Sequence, residues 1–178
     1  MMNHDSRCEG AGNTDQDLEE AVAKDGWYVI KVLDTPETPA WAYSVGLFKT
    51  FRHPEIIVFG LDVDLMHFMI NTIGEGVQLG KSFEVDERYA ELIESYDCTL
   101  KPVKAKWYPA FLGFASWFYD GDDYPVRQCF WPDFDSRYPW DSQFDQTLVW
   151  AQPLLFHEDP ITAQVSSLIE SLDLEVGN

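Results

Sequence analysis

"GWYVIKVLD" (residues 26–34), "WAYSVGL" (residues 41–47) and "PEIIVFGL" (residues 54–61) are three apolar stretches joined by short links. Each stretch is rich in β-branched and aromatic residues, which favour strands. Pro54 opens the third stretch, and the first residue of a strand tolerates proline. Because short links join antiparallel neighbours, the three stretches predict an antiparallel meander.

The residues after this meander change to the period of a helix. Apolar side chains recur at helical spacing over residues 62–79, with an aspartate at the start and Gly80 just past the end. This helix is expected to cover one face of the sheet. Capping signals and apolar periodicity predict three further helices, at about residues 15–24, 109–119 and 160–172.

The second half of the chain predicts more extended segments. "SFEVDERYAELIE" (82–94) is typical of a short strand running into a brief helix, and "YDCTLKPVKAKW" (96–107) of a strand whose alternating lysines protect a sheet edge. "YPVRQCFW" (124–131) predicts a strand, and "WAQPLLF" (150–156) a last extended segment. Since the strands come in runs, the sequence predicts an α+β fold with a mainly antiparallel sheet.

The length of 178 residues fits one domain, which we expect to span residues 14–178. The polar residues 1–13 predict a mobile tail. They lack the basic start and apolar run of a signal peptide, and no segment of the chain is apolar for long enough to span a membrane. A cytoplasmic protein is therefore predicted.

The formal net charge of −19 is the strongest global feature of the sequence. Residues 107–178 hold twelve acidic and two basic residues, a net −10. Such a field disfavours nucleic acid and anionic membranes as partners and favours a basic protein. Solubility alone is the alternative explanation of the charge.

Metal and cofactor sites are not predicted. The three cysteines are widely spaced and form no C-x-x-C pair, which excludes a zinc site or disulfide framework of the usual kind. Asp133, Asp135 and Asp141 resemble the start of a calcium loop, but Arg137 stands where a third oxygen ligand is needed. The sequence leaves the oligomeric state open.

Four segments in order, "GWYVIKVLD", "AYSVGLFKTFRHPEIIVFGL", "WPDFDSRYPWD" and "QPLL", carry a resemblance to a known family. Over about residues 24–156 the chain resembles the bacterial domain-of-unknown-function family 4262. The family often has a glycine where this chain has Ser136, a position where a tight turn would need positive φ. Because the family is uncharacterised, the resemblance implies a fold and little chemistry.

The segment "WPDFDSRYPWD" (131–141) is expected to form a rigid loop. Arg137 can hold two carboxylates in forked hydrogen bonds, the four aromatic rings can be buried, and the prolines restrict the unfolded chain. Such a loop either plugs the end of the sheet or presents aromatic anchors and carboxylates to a partner, together with the nearby "DGDDYP" (120–125). The predicted partner-binding residues are Asp122, Asp123, Trp131, Asp133, Asp135, Tyr138, Trp140 and Asp141.

The leading functional interpretation is an acidic cytoplasmic protein that binds a basic macromolecule. Its most concrete form is an immunity-like or antitoxin-like inhibitor that covers the basic active site of a toxin or nuclease. The alternative is a small-ligand-binding protein or enzyme with a pocket between the His53 loop and the 131–141 loop. There His53 would be the base, Arg137 the anion clamp, and Asp133 or Asp135 would orient them. A purely structural His53 that fixes its loop, and a purely structural subunit of an assembly, also remain open.

Overall fold

A computed structural model of the protein describes residues 14–158. The helices are α1 (Thr14–Asp25), α2 (Leu47–Phe51), α3 (Val63–Gln78), α4 (Tyr108–Phe111) and α5 (Gly113–Phe118), with short 3-10 helices at Ala105–Trp107 and Gln146–Ala151. The strands are β1 (Tyr28–Val32), β2 (Trp41–Val45), β3 (Glu55–Phe59), β4 (Arg88–Ile93), β5 (Tyr96–Pro102) and β6 (Val126–Phe130). They form one sheet in the order β1-β2-β3-β6-β5-β4, which confirms the α+β fold.

The predicted meander is confirmed, and a parallel pair follows it in the sheet. β1, β2 and β3 pair antiparallel, as do β6, β5 and β4. Between these two halves β3 pairs parallel with β6, with Glu55 opposite Val126 and Val58 opposite Cys129. The carboxyl-terminal ends of β3 and β6 therefore lie at the same end of the sheet, together with the turn between β4 and β5.

Hydrophobic side chains fill both faces of the sheet. In β3, Ile56 and Val58 pack with the apolar side chains of α3, whereas Ile57 and Phe59 pack with those of α1, α4 and α5. A strand covered on both faces is apolar at consecutive positions, which is why "EIIVF" lacks a polar alternation. None of the helices in residues 14–158 is long and apolar enough to cross a membrane.

The helices predicted over 15–24 and 62–79 agree well with the structure. The helix expected over 62–79 is α3, and Asp62 caps it by accepting the N–H groups of Asp64 and Leu65. The helix expected over 15–24 is α1, whereas the one expected over 109–119 is divided at Leu112 into α4 and α5. The C-terminal helix predicted over 160–172 and the tail of residues 1–13 lie outside the described residues.

Three predictions for the second half of the chain were wrong. Residues 88–93 form the strand β4 where a helix had been predicted, because they pair with β5 in a hairpin. β5 lies between β6 and β4, so its lysines do not mark an edge. Residues 150–156 add no strand, since the Gln128 side chain binds the carbonyl of Pro153 and the N–H of Leu155 and holds this segment on the sheet's face.

One buried carboxylate, that of Glu55, joins β3 to three neighbouring parts of the chain. Its Oε2 accepts the hydroxyl of Ser44 at 2.5 Å. Its Oε1 accepts the N–H of Gly46 at 2.7 Å, the N–H of Phe48 at 3.3 Å and the hydroxyl of Tyr119 at 2.5 Å. The end of β2, the start of α2 and the residue after α5 therefore meet at this group.

Backbone groups orient both hydroxyls toward Glu55. The Ser44 hydroxyl accepts the N–H of Ile56 at 2.9 Å, and the Tyr119 hydroxyl accepts the N–H of Lys49 at 3.2 Å, so each is left to donate its proton to the carboxylate. Burial raises the pKa of Glu55, and the hydroxyl and amide donors oppose this shift. Burial and the nearby carboxylate raise the pKa of Tyr119, which keeps its hydroxyl a donor.

Gly46 has to be a glycine for this arrangement. Its φ is 114°, a conformation that L side chains rarely adopt. A Cβ there would lie 2.8 Å from the Val22 side chain and 2.9 Å from the carbonyl oxygen of Gly26. The glycine thus lets the chain turn sharply from β2 into α2 and direct its N–H at Glu55.

Replacing Glu55 is expected to destabilise the fold strongly. Glu55→Ala leaves four donors without their acceptor, two buried and two half-buried, and should lower the free energy of unfolding by about 3–5 kcal/mol. Glu55→Gln keeps one acceptor oxygen and should cost about 1–3 kcal/mol. Urea unfolding measures both, with the exposed strand residue Glu91→Ala as a control that should change stability by less than about 0.5 kcal/mol. Equal effects of Glu55→Ala and Glu91→Ala would contradict the role given to Glu55.

Candidate functional site

An apolar cavity opens at the end of the sheet where β3 and β6 finish. Its volume is about 360 Å³. The residues that line it include Leu61, Leu65, Ile93, Tyr96, Trp131 and Phe134. They come from three separate stretches of the chain, namely the entry into α3, the turn between β4 and β5, and the start of the 131–141 loop.

Trp131 forms one wall of the cavity and is held in place by hydrogen bonds. Its indole Nε1 donates to the carbonyl of Phe59 at 2.8 Å. The Gln152 side chain accepts the N–H of Trp131 at 3.1 Å and donates to its carbonyl at 2.9 Å. Trp131 was predicted to bind a partner, but it is 8% exposed and acts as a wall of the cavity.

Phe134 stands at the mouth of the cavity and is 84% exposed. Its ring meets that of Tyr96 edge-on, with 6.3 Å between the centroids. The prediction that all four rings of the 131–141 loop are buried is therefore wrong for Phe134, and also for the partly exposed Trp140. An exposed aromatic ring beside an apolar cavity forms a hydrophobic patch of the kind found at binding sites.

Asp133, rather than Arg137, organises the 131–141 loop. The buried carboxylate of Asp133 accepts the N–H groups of Asp135 and Arg137 at 2.9 Å each and that of Asp145 at 3.0 Å. Desolvation alone would raise the pKa of Asp133, but these backbone donors and the Arg137 charge lower it below its usual value. Ser136 adopts a φ of 63°, so this serine takes the turn conformation that glycine favours.

The predicted forked hydrogen bonds of Arg137 are not formed. Its guanidinium lies 3.5 Å from the carboxylate of Asp135 and donates to the carbonyl of Gln143 at 2.9 Å. Asp133 is satisfied by backbone N–H groups, so Arg137 contacts one carboxylate of the loop, that of Asp135. Asp141 accepts the N–H of Tyr138 at 2.7 Å.

Tyr138 and Trp140 fasten the loop to the β4–β5 hairpin. Their rings stack at 5.2 Å with an interplanar angle of 7°. Arg88 lies over the Tyr138 ring at 5.3 Å and Lys101 over the Trp140 ring at 4.8 Å, while the Tyr138 hydroxyl donates to the carbonyl of Asp97 at 2.7 Å. Tyr138 is therefore engaged within its own chain, and Trp140 keeps 37% of its surface exposed.

Exposed carboxylates are carried by the segments that line the cavity. Five of them directly adjoin lining residues in the sequence: Asp62, Asp64, Glu94, Asp97 and Asp135. No lysine or arginine adjoins a lining residue, but two rim carboxylates are ion-paired, Asp64 with Lys31 at 3.2 Å and Asp135 with Arg137 at 3.5 Å. We call these five residues the acidic rim. Only Asp135 among them was predicted, because the others come from segments that the fold alone brings to this end.

The predicted acidic cluster at Asp122 and Asp123 lies elsewhere. These residues precede β6, whereas the 131–141 loop follows it. The five residues of β6 lie between these aspartates and the loop and span about 17 Å, at about 3.3 Å per residue. Asp122 accepts the Ser116 hydroxyl at 2.6 Å. The two clusters therefore do not form one acidic face.

His53 is a buried structural histidine at the same far end of the sheet. Its Nδ1 donates to the carbonyl of Pro54 at 2.9 Å, and its Nε2 accepts the N–H of Phe83 at 3.2 Å. Because His53 precedes β3 and Arg137 follows β6, the parallel pairing puts them at opposite ends. The predicted pocket between the His53 loop and the 131–141 loop is therefore wrong.

His53 is expected to make stability depend on pH. Burial lowers its pKa, Arg127 lowers it further, and the Pro54 carbonyl and Glu84 oppose the shift. The neutral ring therefore contributes stability above the unfolded pKa of about 6.5, and this contribution is lost as the pH falls. Urea unfolding at pH 7.5 and pH 5.5 should show wild type losing more stability than His53→Gln over this range. Parallel losses in both proteins would be evidence against a neutral, buried His53.

The Asp133 network predicts which amides of the loop are protected from hydrogen exchange. Asp133→Asn removes the charge that three N–H groups share, so the amides of Asp135, Arg137 and Asp145 should exchange faster. Residue-resolved hydrogen exchange measures this. Asp135→Asn is the matched control and should leave the protection unchanged, since the Asp135 carboxylate contacts the Arg137 guanidinium and accepts no described backbone N–H of the loop. Unchanged exchange in Asp133→Asn would show that another group holds the loop.

The comparisons with known proteins agree with the sequence resemblance. Residues 21–145 match the family model described as Domain of unknown function (DUF4262), a span that contains all six strands. A search of curated proteins and a search of solved structures each find no match. Since the family model covers well over half of the 178 residues, the chain belongs to the DUF4262 family.

Proposed function

We propose that this protein binds a basic protein partner through the end of the sheet that carries the cavity and the acidic rim. The observation that supports this most is the combination of an apolar cavity with five exposed carboxylates around it. Binding surfaces commonly have an apolar centre and a polar rim. Here all five rim residues are acidic and two of them are ion-paired, with Lys31 and Arg137, which leaves an excess of negative charge that selects a partner of the opposite sign.

The overall charge supports the same partner class. With a net charge of −19, the chain attracts cationic surfaces over distances beyond direct contact. This attraction speeds association and weakens as salt is added, because exposed charges are screened within about 8–10 Å at ordinary ionic strength. A partner of this kind should therefore associate more slowly in high salt.

The rigidity of the site also favours binding. Trp131 is fixed by hydrogen bonds to Phe59 and Gln152, and Asp133 fixes the backbone of the loop that carries Phe134. A surface that is already ordered loses less conformational entropy on association than a flexible one. The loop therefore presents Phe134 and Asp135 to a partner in a fixed position.

An inhibitor of a cytoplasmic toxin or nuclease is the most concrete form of this proposal. Enzymes that act on nucleic acid need a basic surface for the phosphates, and an acidic protein can cover such a surface. Binding of a small apolar ligand is a second candidate, since a cavity of about 360 Å³ lies in the size range of ligand pockets. A small apolar ligand would leave the acidic rim unused, so we favour the protein partner.

Affinity capture with paired charge variants tests the proposal. The full-length protein, used as bait in lysate of its own host, should retain a basic partner whose recovery falls as salt is raised. Glu94→Gln/Asp97→Asn removes two charges of the rim and should reduce recovery about tenfold, if each charge contributes roughly 0.7 kcal/mol.

Asp120→Asn/Asp123→Asn is the matched control, because it removes the same charge from the opposite end of β6. Recovery with this variant should stay close to that of wild type. Equal losses with both variants would show a general charge effect and contradict a site at the rim. Recovery that does not respond to salt would contradict the electrostatic part of the proposal.

A further inference from the structure

We infer that the cavity receives a single uncharged apolar side chain from a short segment of the partner, with lysine or arginine on both sides of it. This inference rests on the proposed function and names the element of the partner that is recognised. It depends on two observations, namely the chemistry of the cavity walls and the positions of the rim carboxylates.

The cavity walls favour an uncharged apolar side chain. Leu61, Leu65, Ile93 and the rings of Tyr96 and Phe134 face the space, and the buried Asp133 that also lines it already accepts three backbone N–H groups. A cation inserted here would lose its hydration without gaining a free carboxylate, which costs free energy. An aromatic or aliphatic side chain would bury apolar surface at no such cost.

Phe134 gives the entering side chain an aromatic contact. With 84% of its surface exposed, its ring has one edge near Tyr96 and its remaining surface open to solvent. A partner side chain that fills the cavity would cover this surface, and aromatic pairs add to the free energy of burial. Phe134 is therefore expected to be the hot spot of the site.

The rim carboxylates stand on more than one side of the cavity. Asp62, which also caps α3, and Asp64, which also pairs with Lys31, are exposed at the start of α3, whereas Glu94 and Asp97 belong to the β4–β5 hairpin. Asp135 follows Phe134 on the 131–141 loop. A segment whose apolar side chain enters between α3 and the hairpin would pass carboxylates before and after it. Basic residues on both sides of that side chain would complement this arrangement.

Selection from a random peptide library displayed on phage tests the inference with the full-length protein as target. Enriched peptides should contain one aromatic or large aliphatic residue with lysine or arginine on either side. Phe134→Ala should weaken the selected peptides about tenfold or more, as expected for a hot spot. Because Phe134 is exposed, the variant should still fold, and its thermal unfolding can be compared with that of wild type.

Leu79→Ala is the matched control for the loss of an exposed apolar side chain. Leu79 is 89% exposed at the end of α3, and fourteen residues of helix separate it from Leu65, about 20 Å at about 1.5 Å per residue. Peptide affinity should be unchanged in this variant. Glu94→Gln/Asp97→Asn should weaken peptides that have basic flanks and should not weaken the same peptides with the flanking charges replaced by serine.

The outcomes separate this inference from the proposed function. Selected peptides without basic flanks, or no enrichment at all, would overturn the inference, while salt-dependent capture of a basic partner would still support the proposed function. Peptides that bind Phe134→Ala as well as wild type would show that the cavity is not their site. In a competition experiment, stronger binding of small apolar compounds than of the selected peptides would also overturn the inference and favour the small-ligand candidate.

Discussion

The buried carboxylate of Glu55 is the interaction on which the arrangement of the elements around the sheet depends. A carboxylate in the core costs several kcal/mol unless its oxygens are hydrogen-bonded, roughly the whole margin of stability of a domain. Four donors satisfy Glu55, and they come from β2, the start of α2 and the residue after α5. The hydrogen bonds to Glu55 form only when all of these parts are in position. The network therefore fixes where they lie relative to one another.

The parallel pairing of β3 and β6 divides the molecule into two ends of different character. At the end where both strands begin, Glu55 and His53 are buried and satisfied by their own chain. At the other end the chain leaves the sheet through α3, the hairpin and the 131–141 loop, which do not fill the space between them. The buried polar groups thus stabilise one end, and the binding site we propose lies at the other.

Carboxylates serve two purposes at this second end. Asp133 is enclosed and uses its charge to hold backbone N–H groups, whereas the acidic rim remains exposed beside an apolar cavity. The internal carboxylate gives the loop a fixed shape, and the external ones give the site its charge. This division accounts for the aspartates of the loop. Asp133 holds the backbone from the interior, and Asp135 supplies charge at the surface.

Local patterns in the sequence determined most of the elements of this protein. The β-branched runs at 28–32, 41–45 and 55–59 predicted the meander, and the spacing of apolar residues with the Asp62 cap predicted α3, because these signals act between near neighbours. The rigidity of the 131–141 loop was also predictable from its composition. Only the tertiary structure decided that β6 pairs parallel with β3, that Asp133 instead of Arg137 fastens the loop, and that Leu65, Tyr96 and Phe134 share a cavity. The strand pairing and the cavity join residues tens of positions apart, which no local spacing specifies. The Asp133 contacts are closer in sequence, but the folded backbone is what turns the N–H groups of Asp135, Arg137 and Asp145 toward that carboxylate.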